Sequence, residues 1–148
     1  MAQVSRVVSA TPEQVYAVLA DGWAYSNWVT GTSHMRAVDS AWPAAGSVIH
    51  HASGAWPVVL HDTTVVLSCV TGQRLELEAH GRPFGAARIL IDLTPTGAGT
   101  QIDLAEKPVA GPGAWLDNPV LEALLARRNT ESLARLAALV ERRTEPGT

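Results

Sequence analysis

Residues 114–143 read AWLDNPVLEALLARRNTESLARLAALVERR, and how this segment buries itself decides the fold. Leu121, Leu125, Leu136 and Val140 recur at helical spacing on one stripe, flanked by Leu124, Leu133 and Leu139. Arg127, Arg128, Arg135, Arg142 and Arg143 alternate with Glu122, Glu131 and Glu141, which reads as a solvated helix face. Asn118-Pro119 offers a cap and a first helical position, so the segment can start in two pieces. This is the most amphipathic part of the chain, and such a helix must bury its stripe.

Upstream, the pattern changes to strands. Turn-forming residues at 42–46, 54–57, 71–72, 83–85 and 95–99 separate apolar runs near 33–39, 47–53, 60–70, 74–81, 86–94 and 100–107. Short links favour antiparallel hairpins. Residues 3–9 add a valine-rich first strand. Thr11 then suits an N-cap, with Pro12 at the first helical position and Gln14 as its capping-box partner. The helix from Pro12 to about Ala20 stops at Asp21-Gly22. A second short helix follows over 23–29, carrying Trp23, Tyr25 and Trp28. The order is strand, two short helices, six strands, one long helix. The simplest packing lays the last helix across the concave face of an antiparallel sheet.

A chain of 148 residues fits one domain, expected over 1–143 with a frayed tail at 144–148. At 47% hydrophobic and 17% charged residues it lies far from the disordered regime. A formal charge of −3 argues against nucleic acid as a partner. The single cysteine, Cys69, sits in an apolar run and reads as a small core residue. No signal peptide or membrane-length apolar stretch is visible, so the expected location is the cytoplasm. No Walker loop, dinucleotide-binding glycine motif or nucleophile elbow is present, and no cofactor is expected.

Several local signatures resemble the SRPBCC superfamily, which includes START lipid-transfer domains, the birch-pollen-allergen fold and polyketide cyclase/dehydrase-like proteins. They are Val7-Val8-Ser9-Ala10-Thr11-Pro12-Glu13-Gln14-Val15-Tyr16, the tryptophan-bearing second helix, Leu93-Thr94-Pro95 running into Gly99-Thr100, and Arg128-Asn129-Thr130-Glu131-Ser132-Leu133. Each is weak alone, and their order and spacing carry the match over nearly the whole chain. The resemblance implies an α+β helix-grip fold: a curved, seven-stranded antiparallel sheet around a long C-terminal helix, enclosing a hydrophobic cavity. It implies a small hydrophobic or aromatic ligand, and a cofactor-independent cyclase or dehydrase if the chain is an enzyme. A lipid or quinone carrier and a module similar to chaperone-ATPase activators are the alternatives, because this fold hosts all three. Monomer and homodimer both remain open.

Period two then selects the residues facing that cavity. Thr63, Val65, Leu67 and Cys69 share one face of their strand; Leu75, Leu77 and Ala79 share one of the next. Ile89, Ile91 and Leu93 follow, then Ile102 and Leu104. Expected ligand contacts are Trp28, His61, Val65, Leu67, Leu77, Ile89, Ile91, Ile102, Leu104, Leu125 and Ser132. Trp42, Trp56 and Trp115 sit beside loops as packing residues or an aromatic mouth.

Polar residues in apolar rows are the candidates for chemistry. Glu106 continues the parity of Ile102 and Leu104, while Asn129 and Ser132 interrupt the helix stripe. A buried polar group without a partner costs about 1–3 kcal/mol. Glu106 is therefore either paired with an arginine at the mouth or held in an apolar pocket as a general acid or base. Asn129 and Ser132 either bond helix to sheet or face a wet cavity. Of His34, His50, His51, His61 and His80, no spacing matches a zinc signature, and no metal is expected. Adjacent His50 and His51 point to opposite faces. His50, in parity with Val48, is the expected inward histidine and proton shuttle, with His61 second. Expected catalytic residues are Glu106, His50 and Asn129.

Overall fold

A computed structural model describes the backbone of residues 2–30, 32–55, 58–81, 85–110 and 119–144, with side chains throughout except at 2, 33, 34, 53–55, 58–61 and 81. The element order is β1 (Ala2–Val8), α1 (Pro12–Leu19), a 3-10 turn at Gly22–Ala24, α2 (Tyr25–Trp28), β2 (Thr32–Val38), β3 (Val48–Ala55), β4 (Val58–Val70), β5 (Arg74–Gly81), β6 (Gly85–Thr96), β7 (Gly99–Ala110) and α3 (Pro119–Thr144). The strands form one seven-stranded antiparallel sheet in the order β1-β7-β6-β5-β4-β3-β2. This is the helix-grip arrangement. β2 to β7 follow one another as antiparallel neighbours, and β1 forms the edge beside β7.

The first helix starts as its sequence dictates. Thr11 Oγ1 accepts from the Gln14 amide at 3.2 Å, and the Gln14 side chain accepts from the Thr11 amide at 2.8 Å. At the hairpin between β6 and β7, Pro95 pairs with Thr100 and Thr96 with Gly99, so β6 runs two residues past its expected end. The long helix extends through Thr144, one residue into the expected tail. Residues 145–148, the linker 111–118 with Gly111-Pro112-Gly113 and Trp115, and the turn residue Trp56 lie outside the described residues.

Packing of α3 is uneven along its length. It lies on β1 and β7 and against α1 and α2. In its second half, Leu133, Leu136 and Val140 are at most 1% exposed. They join Val15, Val18 and Leu19 of α1 and Leu75, Ile91, Ile102 and Leu104 of the sheet in one core. Arg143 Nη2 donates to Asp21 Oδ2 at 2.9 Å and fixes the far end. In its first half, Leu121 and Leu125 are only half-buried, while Val120 and Leu124 are 66% and 59% exposed.

Two expected faces are corrected. On β4, Thr64 and Val66 point into the core, so Val65 and Leu67 do not. The cause is an extra residue: Val66 pairs with Leu77 and Ser68 with Glu76, leaving Leu67 unpaired in a bulge. Beyond the bulge the parity recovers, and Cys69 packs against the core as expected. On β3, Ile49 and His51 are buried while Val48 and His50 are half-buried, so His51 rather than His50 faces inward. Val48 and Ile49 are equally apolar in sequence, so alternation alone gave no phase.

Candidate functional site

The concave face of the sheet is ordered in cross-strand rows, because paired residues of neighbouring antiparallel strands share a face. One row is Cys69, Leu75, Ile91 and Leu104. The next is Val66, Leu77, Ile89 and Glu106. The third is Ile49, Thr64, Ala79 and Ala87. Side chains shrink along this series from leucine and isoleucine to threonine and alanine on the central strands. Ala79 and Ala87 are half-buried, in contrast to the sealed first row. Their end of the sheet is where β7 finishes.

Glu106 sits at the boundary between the sealed and the open parts. It is buried, at 4% exposure. Arg128 Nη2 and Asn129 Nδ2 both donate to its Oε1, the latter at 3.0 Å. The Arg128 side chain remains 42% exposed while its guanidinium reaches the carboxylate. Glu106 is paired with an arginine, as one of its two readings expects. Asn129 is a helix-to-sheet bond. Ser132 ties α3 to the segment after α2 instead: it accepts from the Thr30 amide at 3.0 Å and donates to Thr30 Oγ1 at 3.1 Å.

A second polar group lies across the same face. Tyr25 of α2 packs edge-on to Trp28, with ring centroids 5.5 Å apart, and stacks on His51 at 5.3 Å. His51 Nε2 lies 2.9 Å from Thr64 Oγ1. Its Nδ1 is buried and has no hydrogen-bond partner among the described residues. Burial pushes the His51 imidazole below the usual histidine range; Asp62 opposes this, and Arg36 and His50 add to it. Burial also pushes the Tyr25 phenol up; a polar contact with Thr64 and the charge of Arg128 oppose it, while Glu106 and Asp62 reinforce it. Tyr25 therefore lies within electrostatic reach of the Glu106–Arg128 pair.

Of the residues singled out in the sequence, Leu77, Ile91, Ile102 and Leu104 lie deep in the core, and Ile89 packs at its edge. Trp28 is buried beneath α3, Leu125 is half-buried, and the side chain of His61 lies outside the described residues. Trp42 is a packing residue, its Nε1 donating to the Leu19 carbonyl at 3.2 Å. Sequence reasoning passed over His51, Thr64 and Tyr25. The available signal was the aromatic cluster at 23–28, which marked Tyr25 without naming its partners. Among the described residues, no group of three or more His, Cys, Asp or Glu is placed to hold a metal ion. Among them too, no helix is long and apolar enough to cross a membrane.

A curved sheet gripping its terminal helix, sealed at one end and polar at the transition, defines the chain as an SRPBCC-type helix-grip protein. More narrowly, it belongs to the polyketide cyclase / dehydrase and lipid transport family, whose model matches residues 1–141. Solved structures with the same fold include a protein from Chromobacterium violaceum, at 24% identity and a TM-score of 0.71, covering 94% of this chain and 96% of that one. The di-domain ARO/CYC StfQ from the steffimycin biosynthetic pathway aligns at 15% identity and a TM-score of 0.72, over 95% of this chain and 50% of its own. DynU16, from the dynemicin biosynthetic locus, aligns at 18% identity and 0.68, over 94% of this chain and 46% of its own. No curated protein matches the chain by sequence.

Proposed function

We propose that this protein binds a small, flat, largely apolar molecule of aromatic or polyketide type between the central strands and the first half of α3. One observation carries the reading. The row Thr64–Ala79–Ala87 is built of small side chains, and Leu121 and Leu125, on the turns of α3 that precede the Glu106-bonded Asn129, are only half-buried. Small residues on the sheet together with an unsealed apolar helix face would leave room for a guest whose burial completes the core. Family membership supports the same class of ligand.

Catalysis is the finer reading. Glu106 stands next to the proposed space, with a carboxylate oriented by Asn129 and Arg128, and is the candidate for proton transfer in a cyclisation or dehydration. His50 lies on the other face of β3, away from the proposed space.

Titration with naphthalene, followed by methyl chemical shifts, tests the binding reading. Shifts are expected at Ile89, Leu121 and Leu125, with Leu136 and Val140 unmoved. Replacement of Ala79 by Trp should fill the space and abolish those shifts while the protein stays folded. An absence of shifts in the wild type, or shifts confined to Val65, Leu67 and Val70 on the convex face, overturns the reading.

A further inference from the structure

The contact between Glu106 and Arg128 leaves hydrogen-bonding capacity unused on both partners. Arg128 Nη2 and Asn129 Nδ2 converge on a single oxygen of the carboxylate, Oε1. Among the described residues no donor reaches Oε2, and Glu106 is the one hydrogen-bond partner of Arg128. A guanidinium carries several N–H groups, so most of them stay available. The Arg128 side chain is 42% exposed and Glu106 only 4%, so the arginine spans from solvent to the interior. A helix-to-sheet bond alone requires neither charge. A glutamine at position 106 would accept from Asn129 without any cost of burying an ion.

Strand register sets this pair against the proposed space. Glu106 is opposite Ile89 of β6, and the next residue on that face of β6 is Ala87, a member of the small row. The carboxylate is rooted in β7 and bonded to α3, so it lies in the layer between sheet and helix. An oxygen that accepts from a guanidinium and an amide together belongs to a carboxylate, which offers acceptors only. A guest in that layer meets a proton acceptor and a cationic donor side by side. Their spacing suits one functional group. A carbonyl oxygen and its α-carbon are separated by two bonds, as are the two oxygens of a carboxylate. A single ketone reaches Arg128 with its oxygen and Glu106 with an α-hydrogen.

We propose that Glu106 and Arg128 act together on a ketone, Glu106 as the base that removes a proton from the carbon beside the carbonyl and Arg128 as the donor to the carbonyl oxygen. The α-carbon–hydrogen bond breaks and its proton passes to Glu106 Oε2. The bonding pair forms the new carbon–carbon double bond, and the carbonyl π pair moves onto oxygen as an enolate. The hydrogen bond from Arg128 strengthens as that charge develops. Return of the proton from Glu106 to carbon regenerates the ketone, so no co-reactant is consumed. The inference rests on the small-molecule reading above and narrows the guest to a flat ketone with hydrogens on its α-carbon. It gives Arg128 a part in the chemistry in addition to its pairing with Glu106.

Two probes separate the possibilities: 2-tetralone, a bicyclic ketone with acidic α-hydrogens, and tetralin, the same skeleton without the carbonyl. In deuterium oxide the protein should speed the loss of the α-proton signals of 2-tetralone by about 10²-fold or more over buffer. Glu106→Gln should return exchange to the buffer rate while still binding 2-tetralone. Arg128→Met should slow exchange at least about tenfold. It should also remove the wild-type preference for 2-tetralone over tetralin, expected at about threefold to tenfold for one hydrogen bond. Tetralin affinity, kept in both variants, reports that they are folded. Binding of 2-tetralone without exchange above buffer overturns this inference and leaves the binding reading standing. Exchange unchanged in Glu106→Gln or in Arg128→Met does the same, as does equal wild-type affinity for the two probes. Failure of both probes to bind overturns both readings.

Discussion

Asn129 of α3 donates its side-chain amide to Glu106 of β7 at 3.0 Å, and this bond joins the terminal helix to the sheet where tight packing gives way to open packing. Both residues are buried, and Arg128 adds its guanidinium to the same oxygen from a more exposed position. A buried pair of this kind is worth little beyond its parts, but removing one partner leaves the other stranded.

Replacement of Glu106 by Leu should therefore destabilise by about 1–3 kcal/mol, because the Asn129 amide loses its acceptor in a water-poor site. Glu106→Gln keeps an acceptor oxygen and should cost less. Urea unfolding of the two variants measures the difference. Equal stability of both with the wild type would show that the helix-to-sheet bond contributes nothing.

The graded packing of α3 predicts a graded response to truncation. Leu136→Ala removes a side chain with 0% exposure and should cost about 2–5 kcal/mol. Leu125→Ala removes a half-buried side chain and should cost less than half as much. If both variants lose the same stability in chemical denaturation, the first half of the helix is as sealed as the second.

Acid should unfold the protein in part through His51. Its folded-state affinity for protons lies below the unfolded-state value because burial disfavours the charged ring. The unfolded chain then binds more protons, so stability is present above about pH 6.5 and falls as pH drops below it. Asp62 limits the loss, while Arg36 and His50 add to it; Tyr25, stacked on the ring, is neutral in this range. His51→Phe keeps a stackable ring and should flatten this slope. The denaturation midpoint measured from pH 7.5 to 5 tests it, and an unchanged slope in the variant removes His51 from the account.

Gly99 opens β7 at φ +142°, a conformation L side chains rarely adopt. A Cβ there would stand 2.0 Å from the Val8 carbonyl oxygen, where β1 ends. Gly99→Ala should destabilise by about 2 kcal/mol or more and weaken the pairing of Val8 with Thr100. Thermal unfolding measures the loss, and amide exchange at Val8 and Thr100 locates it. Wild-type stability would show that β1 can shift to make room.

How much of this was legible in the chain divides along physical lines. Periodicity in 114–143, the capping box at Thr11–Gln14 and the turn residues between strands are local signals, and they determined the element order and a terminal helix laid across an antiparallel sheet, to which the family resemblance added the helix-grip architecture. Parity on β5, β6 and β7 also sufficed, placing Leu77, Ile91, Ile102, Leu104 and Glu106 on one face. It failed on β4, where one extra residue at Leu67 resets the phase, and on β3, where Val48 and Ile49 are interchangeable by hydropathy. Only the tertiary structure decided that His51 meets Thr64 and Tyr25, residues 13 and 26 positions away in sequence. The reason is that a hydrogen bond or a ring stack between distant residues depends on strand register and helix placement, which are settled by the packing of the whole core and leave no periodic trace in the sequence.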